Sequence, residues 1–179
     1  MYKRQFLGFV NIKDELRKEA YEGIRIIKNA GIQPIMITGD GIDTATSIAK
    51  EVGLITDDKQ IVLTSSDLAK MSDVEVKAKL KDIRVIARAL PQDKSRLVNI
   101  IEDMSLVVGM TGDGVNDAPA MKLANVGIGM GKSGTDVTKD VADIVLLDDS
   151  YATITTAVAE GRRIYDNVIT LSLIHISEP

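Results

Sequence analysis

The chain has 179 residues, 45% hydrophobic and 27% charged, a composition typical of one soluble globular domain with a core and unlike a disordered chain. Its formal net charge of −4 argues against nucleic acid as a partner, and the lack of cysteine excludes disulfide bonds and thiolate metal sites. No apolar run approaches the roughly 20 residues that a membrane-spanning helix needs, and the first residues lack the apolar core of a signal peptide.

Strand and helix patterns alternate along the first part of the chain. Apolar runs predict strands at 6–12, 34–38, 61–64 and 83–87. Helical periodicity predicts helices at 16–30, 43–52 and 91–103, with Pro91 at the position where proline opens a helix. Ser66 and Ser72, each followed by aspartate, are candidate caps of two short helices.

The same alternation continues to residue 170. Strands are predicted at 106–110, 126–128 and 144–147, and helices at 117–124, 135–141 and 151–170. Strands that alternate with helices indicate an α/β fold, in which a parallel sheet carries helices on both faces.

Two carboxylates and a carboxamide follow the apolar run that ends at Val108. They belong to the string Met110-Thr111-Gly112-Asp113-Gly114-Val115-Asn116-Asp117-Ala118-Pro119-Ala120. The glycines allow a sharp turn between strand and helix, and such turns are where ligands bind in parallel α/β sheets. We expect Asp113 and Asp117 to face this crevice and to hold a hard cation such as Mg²⁺ through oxygen.

Polar groups suited to phosphate occur at three further points. Thr38 and Gly39 follow a predicted strand, where the hydroxyl and the glycine amide can donate hydrogen bonds to phosphate. Lys94, in the first turn of a predicted helix, offers a compact charge that can reach a phosphoryl oxygen. Asn116 can donate through its amide nitrogen.

Two other features imitate known sites. The segment 127–133 is rich in glycine and ends in Lys132-Ser133, but Val126 occupies the position where a Walker loop needs glycine. We therefore predict a strand and a turn that lead into the next helix. His175 is the only histidine, so no histidine pair can build a zinc site.

Four ordered motifs resemble those of the P-type ATPases, cation pumps that pass through an aspartyl-phosphate. The likeness runs from about Leu7 to Asn167. Its motifs are 36–40, 87–94, 110–120 and 133–136.

This resemblance implies a haloacid dehalogenase-like Rossmannoid fold with three layers, and Mg²⁺ and ATP as cofactors. It makes Asp113 the Mg²⁺ ligand, supported by Asp117, and brings Lys94 onto the phosphorylated group. Catalytic or nucleotide-binding roles then fall to Thr38, Gly39, Asp40, Lys94, Asn116 and Asp117.

The chain also departs from the family. It contains no Asp-Lys-Thr-Gly-Thr string, which carries the nucleophilic aspartate in P-type ATPases, and it has Asp14-Glu15-Leu16-Arg17 where the family commonly has Asp-Pro-Pro-Arg. The resemblance thus predicts that residues 1–170 are the C-terminal portion of a phosphorylation domain, without the first core strand and inactive alone.

What would complete the pump lies elsewhere. The expected partners are the N-terminal and membrane portions of the same pump and its transported cation. The chain itself would be a cytoplasmic domain of an integral membrane protein, with no transmembrane segment of its own. Strings at 12–17, 62–68 and 87–96 look most like bacterial calcium pumps, which favours Ca²⁺ as the ion.

Residues 171–179 do not resemble the family's membrane helix. They look like a sequencing adaptor translated as protein, so we predict a non-native tail that packs against nothing; a natural, divergent tail is the alternative.

Two other functions remain open. One is a soluble haloacid dehalogenase-like phosphatase, although the predicted strand at 6–12 is not followed by the Asp-x-Asp that such enzymes need. The other is a non-catalytic binding or regulatory domain.

Overall fold

The computed structural model describes residue 8 and residues 16–176, with the backbone alone over 171–176. Most of the strand predicted at 6–12, the Asp14 part of the hinge and the last three residues lie outside the described residues. The strands are β1 Met36–Ile37, β2 Ile61–Thr64, β3 Ile83–Ala87, β4 Gly109–Gly112, β5 Val126–Met130 and β6 Ile144–Leu146. The helices are α1 Lys18–Asn29, α2 Ile42–Glu51, α3 Ser65–Lys70, α4 Asp73–Lys79, α5 Pro91–Glu102, α6 Ala118–Leu123, α7 Asp136–Val141 and α8 Tyr151–Ile176.

The strands form two parallel sheets, with strand orders β1-β3-β2 and β4-β5-β6. The predicted α/β class and parallel pairing are confirmed, but a single continuous sheet was expected. Within the described residues, β1 and β4 each pair on one side only, with β3 and with β5. Strands β2 and β6 form the other edge of each sheet, and no described strand pairs with both sheets.

Sheet β1-β3-β2 is covered on both faces. Val85 and Ala87 of β3 pack with Ala45 and Ala49 of α2. Half-buried side chains of α1, Ala20 and Ile24, pack against this cluster. Ile86 faces the opposite layer, where it packs with apolar side chains of α3, α4 and α5. The central strand is thus buried in the middle of three layers, as the near-continuous apolar run of β3 predicts.

Sheet β4-β5-β6 has a smaller core. Ile128 of β5 and Leu146 of β6 pack with Ile154 of α8 on one face. Helices α6 and α7 contact β5, and α1 packs along α8. Arg162 of α8 donates to the carbonyl oxygen of Ala30 at 2.7 Å, which fixes the end of α1 against α8.

The start of β4 and the cap of α3 differ from the prediction. Strand β4 begins at Gly109 instead of residue 106, because Leu106 and Val107 remain largely exposed. Thr64, not Ser66, caps α3, through a capping box with Asp67; Ser72 caps α4 as predicted.

Helix α8 continues to Ile176, beyond the predicted end at residue 170. Neither proline nor glycine interrupts this segment before Pro179, so nothing in it breaks the helical backbone. No helix within the described part of the chain is both long enough and apolar enough to span a membrane.

Candidate functional site

The turn between β4 and α6 places the two predicted metal-binding carboxylates. Asp117 lies at the N-cap of α6, and its Oδ2 accepts from the backbone N–H groups of Asp113 at 3.3 Å and Gly114 at 3.2 Å. A methyl group at Gly112 would lie 2.3 Å from the Cβ of Asp117 and 2.8 Å from the Sδ of Met121. Only glycine at this strand end lets Asp117 fold back against the turn.

Asp117 also forms an ion pair with Lys94. The ammonium of Lys94 donates to Oδ1 of Asp117, and both side chains are largely buried, with 16% and 9% of their surface exposed. The sequence predicted separate roles for the two residues, with Asp117 on the metal and Lys94 on the phosphoryl group. The structure instead pairs the two side chains, so the carboxylate of Asp117 is already engaged on both oxygens.

Asp113 presents the open carboxylate of the turn. The residue is exposed, and no described residue makes a hydrogen bond or ion pair with its side chain. Its backbone is fixed on both sides, because its N–H donates to Asp117 and its carbonyl oxygen accepts from the N–H of Thr135 at 3.0 Å. The side chain is therefore free to bind a cation while its backbone position is held.

Tyr151, the first residue of α8, lies beside this turn. Partial burial of its ring raises the pKa of the phenol, a hydrogen bond with the Thr111 side chain lowers it, and the charge of Asp113 raises it further. A Cβ on Gly23 would come within 2.9 Å of the Cβ of Tyr151, so α1 and α8 are in close contact here.

Thr38, Gly39 and Asp40 follow β1. The Thr38 hydroxyl donates to Oδ2 of Asp40 at 3.0 Å and accepts from its backbone N–H at 3.1 Å. The Thr38 backbone bonds to Ile86 and Ala89, which extends the pairing of β1 with β3 past the last strand residue. Gly39 is exposed, and a methyl group there would meet no atom within 4 Å, so the space above it is open to a ligand.

The connection from β3 to α5 fixes Lys94. Arg88 adopts a left-handed backbone with φ 51°, and its N–H donates to the Asp40 carbonyl oxygen at 2.9 Å. Asp93 is 6% exposed, and its Oδ2 accepts from the N–H of Leu90 at 2.8 Å, which closes the first turn of α5. Lys94 follows directly, so this buried cap sets the point from which its side chain extends.

An open cleft of about 470 Å³ lies at the carboxyl ends of β2 and β3. Its lining residues are Ile42, Thr64, Ser65, Ser66, Arg88 and Leu90. Neither Lys94 nor Asp113 lines it, whereas the lining residue Arg88 bonds to Asp40 of the loop after β1.

The predicted site residues are thus only partly joined by contacts. Lys94, Asp113 and Asp117 form one connected group, and Thr38 is linked to the start of α5 through backbone hydrogen bonds. Asn116 is exposed in the turn, with no hydrogen bond to any described residue. The convergence of all these groups on one phosphate stays a prediction.

The chemistry of the turn fits Mg²⁺. This ion is usually held by one or two carboxylates, with water and phosphate oxygens as its other ligands. The open carboxylate of Asp113 meets that requirement, whereas the carboxylate of Asp117 already bonds to Lys94 and would have to share its oxygens with the ion. Among the described residues there is no cluster of three or more metal-ligating side chains.

The backbone role of Thr135 was not predicted from the sequence. The segment Ser133–Asp136 was matched as a family motif, without a function for any of its residues. Its spacing gives no signal that the Thr135 N–H bonds to Asp113, because a backbone contact between distant loops leaves no mark on residue type.

Comparisons with known proteins agree with the fold and the motifs. The model of the haloacid dehalogenase-like hydrolase family matches residues 1–125. Calcium-transporting ATPase 1 of Bacillus cereus is 45% identical over 163 residues, covering 91% of this chain and 18% of that protein. Calcium-transporting ATPase PAT1 of Dictyostelium discoideum is 46% identical over 163 residues, covering 91% of this chain and 14% of that protein.

A third relative carries a different ion in its name. The sodium/potassium exporting P-type ATPase cta3 of Schizosaccharomyces pombe is 42% identical over 177 residues, covering 94% of this chain and 17% of that protein. The chain therefore spans less than a fifth of the length of these three relatives.

Among solved structures, the catalytic domain of the CPx-ATPase CopB-B, studied for its conformational changes upon nucleotide binding, superposes with a TM-score of 0.60. It is 28% identical and covers 82% of this chain, which covers 47% of that one. The predicted resemblance to P-type ATPases is confirmed by these similarities.

Proposed function

The chain belongs to the haloacid dehalogenase-like hydrolases, and we propose that it is part of the phosphorylation domain of a P-type cation-transporting ATPase. In this role it supplies Mg²⁺-binding and phosphoryl-binding residues for an aspartyl-phosphate. The observation that carries the proposal is the open carboxylate of Asp113 beside the Lys94–Asp117 ion pair. This group lies in a chain about 45% identical to calcium-transporting ATPases over 91% of its length.

Each residue has a definite task in this proposal. Asp113 holds Mg²⁺, which neutralises charge on the phosphoryl oxygens when bound. The ammonium of Lys94 turns from Asp117 to a phosphoryl oxygen, while Asp117 keeps the N–H groups of the turn and gains access to the metal. Asn116 donates to the phosphoryl group from the same turn.

The loop after β1 contributes the second set of donors. The Thr38 hydroxyl and the Gly39 N–H donate to the phosphoryl oxygens, and the open space above Gly39 admits them. Asp40 orients the Thr38 hydroxyl through the hydrogen bonds between the two residues.

The nucleophilic aspartate must come from a strand that this sequence does not contain. We place that strand between β1 and β4, each of which is an edge strand of its sheet within the described residues. A parallel strand there would join the two halves and bring its carboxyl end between Thr38 and Asp113. The Lys94–Asp117 pair supports this position, because it already bridges the two halves on one side.

The properties of the whole pump extend the same proposal. The chain works on the cytoplasmic side of a membrane, joined to the N-terminal and membrane portions of the pump, which carry the transport path. Ca²⁺ is the proposed ion, on the strength of the relatives' names and the three calcium-pump-like strings. The sodium/potassium exporter among the relatives makes this the least specific part.

A free-standing phosphatase is the second candidate, because the matching family model describes hydrolases. It needs a nucleophile within this chain. Hydrolysis of p-nitrophenyl phosphate by the purified chain, lost in Asp113→Asn, would favour this candidate over the pump.

Mg²⁺ binding tests the proposed site directly. Titration of the purified chain with Mg²⁺, followed by backbone amide chemical shifts, should give saturable changes confined to residues around the β4–α6 turn. Asp113→Asn should abolish them, and the matched variant Asp58→Asn, at an exposed loop residue, should not. Wild-type affinity in Asp113→Asn would contradict the metal role.

A further inference from the structure

The loop between β5 and α7 has the composition of a phosphate-binding loop, yet it binds a carboxylate of the chain itself. Oδ1 of Asp149 accepts from the N–H of Lys132 at 3.0 Å, and Oδ2 accepts from the N–H of Ser133 at 2.7 Å. Successive backbone N–H groups of this kind form a concave anion site. Asp149 fills that site and is only 7% exposed.

The backbone of Asp149 is also held by hydrogen bonds. Its backbone is left-handed, with φ 55°, and its N–H donates to the carbonyl oxygen of Leu146 at 3.3 Å. Its own carbonyl oxygen accepts from Nη1 of Arg17, at the start of α1, at 3.1 Å. The Gly131 N–H also donates to Leu146, at 2.8 Å. The loop and the connection from β6 to α8 are therefore fixed together along several residues.

The other end of the same loop reaches the candidate metal site. The N–H of Thr135 donates to the carbonyl oxygen of Asp113 at 3.0 Å. Gly134, which lies between Ser133 and Thr135, has no room for a side chain, since a methyl group there would lie 2.0 Å from the carbonyl oxygen of Met130. The tight packing means that a shift of residues 131–133 is passed on to Thr135.

From this connection we infer that Asp149 is a positioning residue for Asp113. It holds the loop 131–135 in the one arrangement from which Thr135 can bond to the Asp113 backbone. The inference rests on the proposed function, because it matters for catalysis only if Asp113 binds Mg²⁺. It also gives α1 and α8 a route to the site, through Arg17 and through the backbone that precedes Tyr151.

If Asp149 only stabilised α8, its removal would not affect the loop 131–135. The adjacent carboxylate offers the comparison: Asp148 accepts from the Thr153 hydroxyl at 2.5 Å and from the Ser150 N–H at 3.1 Å, so its bonds stay within the start of α8. Asp149 bonds to the distant loop instead. Removal of either carboxylate disturbs the start of α8, but only removal of Asp149 releases the loop.

The test compares Asp149→Asn with Asp148→Asn in the full chain, with Mg²⁺ alone as the probe. Loss of an outer hydrogen-bond partner typically lowers metal affinity by about 10- to 100-fold, so we expect Asp149→Asn to raise the Kd for Mg²⁺ about 10-fold. Asp148→Asn should leave it within about twofold. Hydrogen exchange at the Thr135 amide should accelerate in Asp149→Asn alone. Unchanged affinity and unchanged exchange in a folded Asp149→Asn protein would overturn the inference.

A second pair of variants decides the matter if Asp149→Asn does not fold. Thr135 has φ −70°, which proline also adopts, so Thr135→Pro keeps this φ while it removes the N–H and places the ring against the Asp113 carbonyl oxygen. Thr135→Ala removes only the side chain and serves as the reference. We expect Thr135→Pro to bind Mg²⁺ about 10-fold more weakly than Thr135→Ala, and equal affinities would overturn the inference.

The proposed function can fail separately. If the wild-type chain binds no Mg²⁺, the metal role of Asp113 is refuted, and the exchange rate of the Thr135 amide alone then decides whether Asp149 positions the loop. Acceleration in Asp149→Asn with no change in Asp148→Asn would still support the positioning role.

Discussion

Lys94 and Asp117 form an ion pair between two helices that follow strands of different sheets. Lys94 lies in the first turn of α5, which follows sheet β1-β3-β2, and Asp117 caps α6, which follows β4 of the other sheet. Helices α5 and α6 also pack directly against each other. The pair therefore ties the two halves together at the point where the proposed phosphoryl group would bind.

Removal of one partner of this pair should destabilise the chain. Lys94→Met leaves the largely buried carboxylate of Asp117 without its counter-charge, at a cost of about 3 kcal/mol in the free energy of unfolding. Urea denaturation measures the loss. The control Lys122→Met, at an exposed lysine of α6, should change it by less than about 0.5 kcal/mol. Equal stability of the two variants would show that the pair carries no structural weight.

Gly112→Ala should displace Asp117 from the turn. The added methyl group would lie 2.3 Å from the Asp117 Cβ, and overpacking of this kind typically costs about 1–3 kcal/mol. The variant should also lose the Mg²⁺-induced shifts of the β4–α6 turn. Gly109→Ala is the matched control in the same strand, because its methyl group would meet only the Val126 carbonyl oxygen, at 3.8 Å. A Gly112→Ala protein with the stability of Gly109→Ala would contradict the close packing.

The acid stability of the chain should depend on Asp149. Hydrogen bonds from the backbone N–H groups of Lys132 and Ser133 lower the pKa of this carboxyl from 3.8 to about 2, although burial opposes the shift. A depressed pKa contributes stability above pH 4 that is lost as the pH falls through about 2.

Asp149→Asn should therefore be less stable at neutral pH and lose less stability between about pH 4 and pH 2 than the wild type. Urea denaturation at a series of pH values provides the measurement, with Asp58→Asn as the exposed control. Parallel pH profiles for wild type and Asp149→Asn would refute the assignment.

Most of the fold could be predicted from the sequence, since it depends on local pattern. The apolar run of β3 and the Pro91 start of α5 are strong signals, and both elements lie where they were expected. The start of β4 could not be predicted, because the apolar Leu106 and Val107 resemble buried strand residues but face solvent. The division into two sheets depends on which strands pair with each other, and the residues of one strand do not specify its neighbours.

The candidate site shows the same limit. Motifs identified Asp113, Asp117 and Lys94 as chemically important residues, but not that Lys94 and Asp117 pair with each other. Residue spacing cannot show a contact between a helix and a turn that lie 23 positions apart. Asp149 was missed for a similar reason, because its partners are backbone N–H groups, which every loop possesses.

The boundary proposed at residue 170 is also testable. Ile164, Tyr165 and Val168 are more than half exposed, so the distal part of α8 adds little to the core. Truncation after Thr170 should change the free energy of unfolding by less than about 0.5 kcal/mol, as expected if residues 171–179 are a non-native tail. Thermal and urea denaturation of the truncated and full chains measure the change. A large loss of stability would show that residues 171–179 are an integral part of the domain.

The central claim is that this chain supplies the Mg²⁺ and phosphoryl-binding half of a pump's phosphorylation site. Its most direct test is a chimera in which the chain replaces the matching 163 residues of the Bacillus cereus calcium-transporting ATPase 1. Incubated with ATP, the chimera should form a hydroxylamine-sensitive phosphoenzyme, and Asp58→Asn should leave its amount unchanged. Asp113→Asn at limiting Mg²⁺ should reduce it about 10-fold or more. A folded chimera that forms no phosphoenzyme, or equal amounts with Asp113→Asn, would contradict the claim.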